Sequence, residues 1–287
     1  MNTLHKLYLI EGLPGIGKST YADNLKETLT EDGHRVILFQ EGDLHPADMA
    51  WNAYLSMEEY NEFIANVISI WETIKTPSKE ELLEHIKSQT LFEDGHAIIA
   101  YTKLGFNDPR YKSLYDDLSA REIYDGKLSL AEFMALLKKR WHAFSKKALN
   151  TTNTIYIFEC AFLQNQIFEL MGFYDMEDEE IMNYLFSLLD MVHSLNPSLI
   201  YLAPNDVDAL IEATDLSRKG SNSWPGWMDQ MVTYVEKSNY GKLHGLKGID
   251  GVFEFLKNRY RLDRLFLSEA EGKNIPLTIS IHTRCFS

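Results

Sequence analysis

Residues 12 to 19 read Gly12-Leu13-Pro14-Gly15-Ile16-Gly17-Lys18-Ser19, a full match to the pattern G-x-x-x-x-G-K-[ST]. Each residue type at that spacing has a chemical reason. Glycines permit backbone conformations closed to other residues, so successive N–H groups can turn inward around a phosphate. The lysine reaches the β- and γ-phosphates, and the hydroxyl that follows it is placed to ligate Mg²⁺. A helix opening at this point adds its positive N-terminal end to the attraction for anions. The stretch from Gly12 through Pro14, Gly15, Ile16 and Gly17 to Lys18, Ser19 and Thr20 is therefore the expected binding site for ATP or another nucleoside triphosphate with Mg²⁺.

The flanks supply the elements this loop needs. Leu7-Tyr8-Leu9-Ile10 is an apolar run of strand type, and Tyr21, Leu25 and Leu29 recur at the spacing of a helix face that Asp32-Gly33 ends. Further strand-like runs lie at 35–40, 154–159, 197–202 and 275–281, separated by helical patterns, which favours parallel pairing through crossovers. Ser56-x-x-Glu59, Ser78-x-x-Glu81 and Ser129-x-x-Glu132 are capping-box patterns, and Asn205 is placed to cap a helix through Val207, Leu210 and Ile211. The interval 44–150 reads as mostly helical, with Ala97-Ile98-Ile99-Ala100-Tyr101 as either a minor strand or a buried helix segment.

Of the 287 residues, 45% are hydrophobic, enough for a sizeable core, and the formal net charge is −14. A surface that acidic repels nucleic-acid backbones and anionic membranes, so neither is an expected partner. Cys160 and Cys285 are too few for a disulfide framework and lack a metal-binding spacing. No apolar run has the length of a membrane span or of a secretory segment, and a cytoplasmic protein is expected, with a homodimer left open.

The chain resembles the P-loop kinases of the nucleoside and nucleotide kinase-like group, through its phosphate loop and the order of its strand runs. The resemblance implies an α/β three-layer fold with a five-stranded parallel sheet in the order 2-3-1-4-5 and a mainly helical insertion between strands 2 and 3. It covers the nucleotide-binding core, at 1–43 and 151–287, while the insertion at 44–150 matches no family and is expected to bind the acceptor. It further implies that Asp43 or Glu41, just past the second strand, positions the acceptor hydroxyl. Glu159, ending the third core strand where an aspartate is usual, would join Ser19 in holding Mg²⁺. Arg218, with Lys219 beside it and Gly220-Ser221-Asn222-Ser223 after it, would belong to a lid closing over the transferring phosphoryl group.

Several residues carry weaker expectations. His45 follows the carboxylate loop. Trp51 and Tyr54, expected on a helix after that loop, and Phe162 after Glu159 are candidates for stacking on the acceptor, and Tyr101 and Lys103, ending the apolar run of the insertion, are candidates for facing the cleft. Trp224-Pro225-Gly226-Trp227 is an aromatic turn beside the lid. Arg259, Arg261 and Arg264 read as surface charges balancing the acidic excess. The function these residues support is ATP- and Mg²⁺-dependent phosphoryl transfer to a small acceptor, with lysine, carboxylate and arginine (Lys18, Asp43 or Glu41, Arg218) as the catalytic set. The alternative is an NTPase or nucleotide-dependent switch with no small-molecule acceptor.

Overall fold

Six residues of the first apolar run form β1 (Leu7–Gly12), and the glycine loop leads from it into α1 (Lys18–Glu31) and then β2 (Arg35–Phe39). The structure, a computed structural model, describes residues 5–106, 108–219, 226–273, 275 and 277–282. After β2 come β3 (Ala53–Ser56), α2 (Met57–Ile74), α3 (Lys79–Ser88), β4 (Thr90–Glu93), β5 (His96–Ile99), α4 (Lys112–Ala120) and α5 (Leu130–Leu149). The chain continues through β6 (Thr154–Glu159), α6 (Gln164–Gly172), α7 (Asp178–Val192), β7 (Pro197–Pro204) and α8 (Val207–Arg218). It closes with α9 (Trp227–Lys237), α10 (Asn239–Leu243), α11 (Gly248–Gly272) and β8 (Leu277–His282).

The expected single sheet in the order 2-3-1-4-5 around a mainly helical insertion is overturned. Counted along the whole chain, the parallel sheet runs β2-β6-β1-β7, with β8 parallel to β7 beyond it. Three strands that intervene between β2 and β6 form a second, antiparallel sheet, β3-β5-β4. The physical reason is length. Each of these three strands has four residues, too few for a period of two to stand out against a helical pattern. Of the 97–101 run, Ala97–Ile99 is strand and Tyr101 opens a short 3-10 turn.

The chain divides into two compact units, Met1–Leu38 with Trp141–Ser287, and Phe39–Arg140. In the first, β6 and β7 are buried at every residue, as strands covered on both faces are. Its core joins Ile10, Leu13, Ile16 and Ala22 to Ile155, Ile157, Ile200, Leu202 and Leu210. The register sets Ile10 beside Glu159 and Gly12 beside Leu202. The phosphate loop and Glu159 thus leave the sheet at its carboxyl edge, where open α/β sheets gather ligand-binding loops.

The second unit has a core of its own, in which Leu55, Phe63, Val67, Ile86, Ile99, Leu114 and Leu118 are buried together. All three capping boxes form: the Ser56, Ser78 and Ser129 hydroxyls accept the N–H of Glu59, Glu81 and Glu132, and each glutamate accepts the serine N–H. Asp206, rather than Asn205, caps α8, its Oδ1 accepting from the N–H groups of Asp208 and Ala209. Trp51 and Tyr54 are not helical. Trp51 lies in a turn and Tyr54 in β3, stacked on His96 at 4.4 Å. Among the described residues no helix is long and apolar enough to cross a membrane.

Candidate active site

The glycine loop at 12–19 is held from two sides. Gly12 passes so close to β7 that a β-carbon there would lie 2.6 Å from the Leu202 carbonyl oxygen. Gly15 is left-handed (φ +81°) and lies against Thr214 of α8, while Gly17 is left-handed (φ +100°) at the N-cap of α1. Leu13 and Ile16 turn into the core and anchor the loop between these glycines, and the Pro14 carbonyl faces Thr214 Oγ1 at 3.5 Å. Lys18 is buried, and its Nζ donates to the carbonyl oxygens of Gly12 (3.1 Å) and Leu13 (2.9 Å). Its ammonium therefore rests on the loop itself, while Ser19 and Thr20 are exposed at the helix start.

Ser19 and Glu159 meet. The Ser19 hydroxyl donates to Glu159 Oε1 at 2.6 Å, and Glu159 is only 4% exposed. Glutamate in place of the usual aspartate still reaches the hydroxyl. Among the described residues no group of three or more His, Cys, Asp or Glu could hold a metal ion. A hydroxyl and one carboxylate nonetheless fit Mg²⁺, which takes few protein ligands and completes its six oxygens from phosphate and water.

Directly after Glu159 the chain turns at Cys160, a buried residue in the left-handed region (φ +66°). Such a conformation costs of order 1 kcal/mol or more for a residue with a side chain. The turn carries 161–164 back to the end of β1, where Phe162 N and Gln164 N donate to the two oxygens of Glu11 at 2.7 and 2.9 Å. Glu11 is fully buried, and burial raises its carboxyl to about 7 against the opposing pull of these N–H groups and of Arg259. No motif in the sequence marks Glu11. The available signal was a carboxylate inside a strand whose other residues are apolar.

Arg259, expected at the surface, is fully buried and paired with Asp263 one helical turn on, at 2.8 Å. Tyr201 of β7 donates to the same aspartate at 2.7 Å. Arg261 meets the expectation of a surface partner, on Asp178, and Arg264 is exposed.

Arg218 and Lys219 end α8. Arg218 lies one turn beyond Thr214, the residue against the phosphate loop, so the two share a helix face. Its guanidinium stands 5.3 Å from the ring centre of Trp227, and Lys219 pairs with Asp215. The stretch Gly220-Ser221-Asn222-Ser223, like Trp224, Pro225 and Cys285, lies outside the described residues.

In the second unit the structure gathers several expected residues and one unexpected one. Asp43 closes a turn, its Oδ2 accepting from Gln40 N at 2.8 Å, and pairs with Lys103 at 2.9 Å. Glu41 accepts from the indole N–H of Trp51 at 3.0 Å. Trp51, 41% exposed, has φ +61°, and its backbone N–H donates to Glu122. Glu122 also accepts the Tyr101 hydroxyl, and burial raises its carboxyl to about 7. No motif announced Glu122. An isolated antiparallel bridge between Ala53 of β3 and Glu122 sets the glutamate beside Trp51.

His45 is buried, with Nδ1 accepting from the N–H groups of Ala47 and Asp48; burial lowers its pKa well below the usual histidine range. It organises the loop after Asp43. Phe162 is core, edge-on to Trp141 and Phe266.

No protein-family model matches the chain, and no curated protein matches it. The site's chemistry therefore rests on its own geometry.

Proposed function

We propose that the chain is an ATP- and magnesium-dependent phosphotransferase acting on a small acceptor that carries a hydroxyl or phosphate group. The observation that carries this reading is the conjunction at the carboxyl edge of β1 and β6. A glycine-shaped loop, a lysine ammonium resting on that loop's carbonyls and a serine hydroxyl 2.6 Å from a buried carboxylate converge there. Lys18 binds and neutralises the β- and γ-phosphates, and the loop N–H groups orient them. Ser19 and Glu159 would hold Mg²⁺, which when bound offsets charge on the phosphate oxygens.

The acceptor oxygen forms a bond to the γ-phosphorus as the bond from that phosphorus to the bridging oxygen breaks. ADP leaves, and the acceptor proton passes to a carboxylate. The family resemblance is what assigns that proton, and the orienting of the acceptor, to Glu41 or Asp43. Arg218 is assigned to the charge spread over the phosphoryl oxygens. Because the donor is ATP, we read the activity as cytoplasmic.

Lys18→Ala is expected to lower ATP turnover by at least about a hundredfold, with an unchanged circular dichroism spectrum. Turnover at the wild-type rate in that variant would sink the assignment. ATP turnover measured with and without a pool of nucleosides, sugars, aminosugars and their monophosphates separates the two functions. Stimulation by an acceptor supports the transferase, and turnover independent of every acceptor supports an NTPase.

A further inference from the structure

Glu11 does a task that the local sequence around α6 leaves undone. The first N–H groups of a helix have no partner within it and are normally met by a side chain at the N-cap. The N-cap of α6 is Leu163, which makes no side-chain hydrogen bond. Glu11, about 150 residues earlier in the chain, accepts instead from Gln164 N, the first N–H of α6, and from Phe162 N just before the N-cap. A negative carboxylate at that end is also favoured by the helix dipole.

The consequence reaches the phosphate site. Glu11 is the residue before Gly12, where the phosphate loop leaves β1, and the segment it holds begins three residues after Glu159. A third bond, Cys160 N to Ile10 O at 3.2 Å, joins the same two segments. The turn at Cys160 and residues 161–164 are thereby pinned to the strand that carries Ser19's loop. An apolar residue at position 11 would leave two buried N–H groups without partners, and burying such groups unmet is costly. That explains why a carboxylate sits where a strand of this kind is otherwise apolar.

We infer that Glu11 is a positioning residue: by capping α6 from β1 it holds the Glu159 carboxylate against Ser19, and so sets the magnesium dependence of nucleotide binding. The inference rests on the reading of this loop as a magnesium-nucleotide site. Groups that orient a metal's ligands typically contribute ten- to a hundredfold in metal affinity.

The test is Glu11→Gln, read by the dissociation constant of ATP with Mg²⁺ and with EDTA. The ratio of the two constants is expected to fall about tenfold, with binding in EDTA changed less than about twofold. Amide hydrogen exchange at Phe162 and Gln164 in the nucleotide-free protein is expected to speed up. In a Glu159→Gln background, Glu11→Gln is expected to change the ratio no further, because its effect passes through Glu159. If Glu11→Gln does not fold, Glu11→Asp, which keeps the acceptor oxygens on a shorter stem, is read in the same way.

An unchanged magnesium ratio in a folded variant overturns the inference and leaves the nucleotide reading standing. So does an equal loss with and without Mg²⁺, or a further full loss in the Glu159→Gln background. A wild-type protein that binds no magnesium nucleotide overturns both.

Discussion

At Gly15 a β-carbon would lie 1.8 Å from Thr214 Oγ1 and 2.7 Å from the Thr214 methyl carbon. Two separate costs meet there. A left-handed conformation costs about 1–2 kcal/mol for any residue with a β-carbon, and the contact forces either the loop or α8 to move. Thr214 is not free to turn away, since its hydroxyl donates to Leu210 O at 2.7 Å. Gly15→Ala is therefore expected to weaken ATP binding at least about tenfold while lowering stability by only about 1–3 kcal/mol. Adding Thr214→Ala removes the clashing hydroxyl and methyl but leaves the conformational cost and the β-carbon of residue 214, 2.8 Å away. The double variant is thus expected to recover part of the affinity, a coupling of about 1 kcal/mol measured by titration calorimetry. Equal affinities for Gly15→Ala and wild type would show that the loop does not need this approach to α8.

Among elements, the hairpin joining β4 and β5 tests how a short strand pair is specified. Its two-residue loop is Asp94-Gly95, with φ of +51° and +77°, both left-handed as the favoured hairpin turn requires. A β-carbon at Gly95 would meet nothing within 4 Å. Replacing it therefore isolates the backbone term from packing. Gly95→Val is expected to lower stability by about 1–2 kcal/mol, whereas Asp94→Asn is expected to be near neutral. The denaturant midpoint reads both, and a neutral Gly95→Val would show that the turn is not of this type.

The same hairpin shows where the sequence stopped being legible. Four-residue strands beside long helical patterns did not declare a second sheet, and of them only the 97–101 run offered a strand, with a buried helix segment as its rival. Capping boxes were readable because Ser and Glu act within one helical turn. So was the glycine loop as a motif, since its pattern lies within eight residues, although Leu202 and Thr214, which crowd Gly12 and Gly15, are about 190 and 200 residues away. The pairing of Ser19 with Glu159 was an expectation of the family resemblance and not of any local pattern. Glu11, Glu122 and the buried Arg259–Asp263 pair were not legible, because each depends on which distant backbone or charge the fold brings to it.

At the scale of the whole chain, 42 acidic residues against 28 basic ones give the net charge of −14, so self-repulsion grows as carboxyls ionise. Most of those carboxyls are exposed, and their repulsion is screened by salt. Glu122 is different, because burial raises its carboxyl from an ordinary 4.5 to about 7. Between those values the folded chain holds a proton that the unfolded chain has released. Its contribution to stability is therefore present below pH 4.5 and is lost as pH rises toward 7. The shift sets a ceiling of about 3 kcal/mol on that loss. His45 acts in the opposite sense: its lowered pKa means that the unfolded chain takes up the proton first, and stability falls as pH drops below 6.5. Glu11, raised likewise to about 7, adds to the slope of Glu122 while His45 opposes both, so the informative quantity is a difference. Glu122→Gln keeps the shape and an acceptor for Tyr101 but cannot ionise. Its stability relative to wild type is expected to rise by about 1–3 kcal/mol between pH 5 and pH 7.5, measured by urea denaturation. The gain is expected to persist in 0.5 M NaCl, because a buried group is screened little. A relative stability that stays flat with pH, or that vanishes in salt, would place Glu122 among the solvated carboxylates.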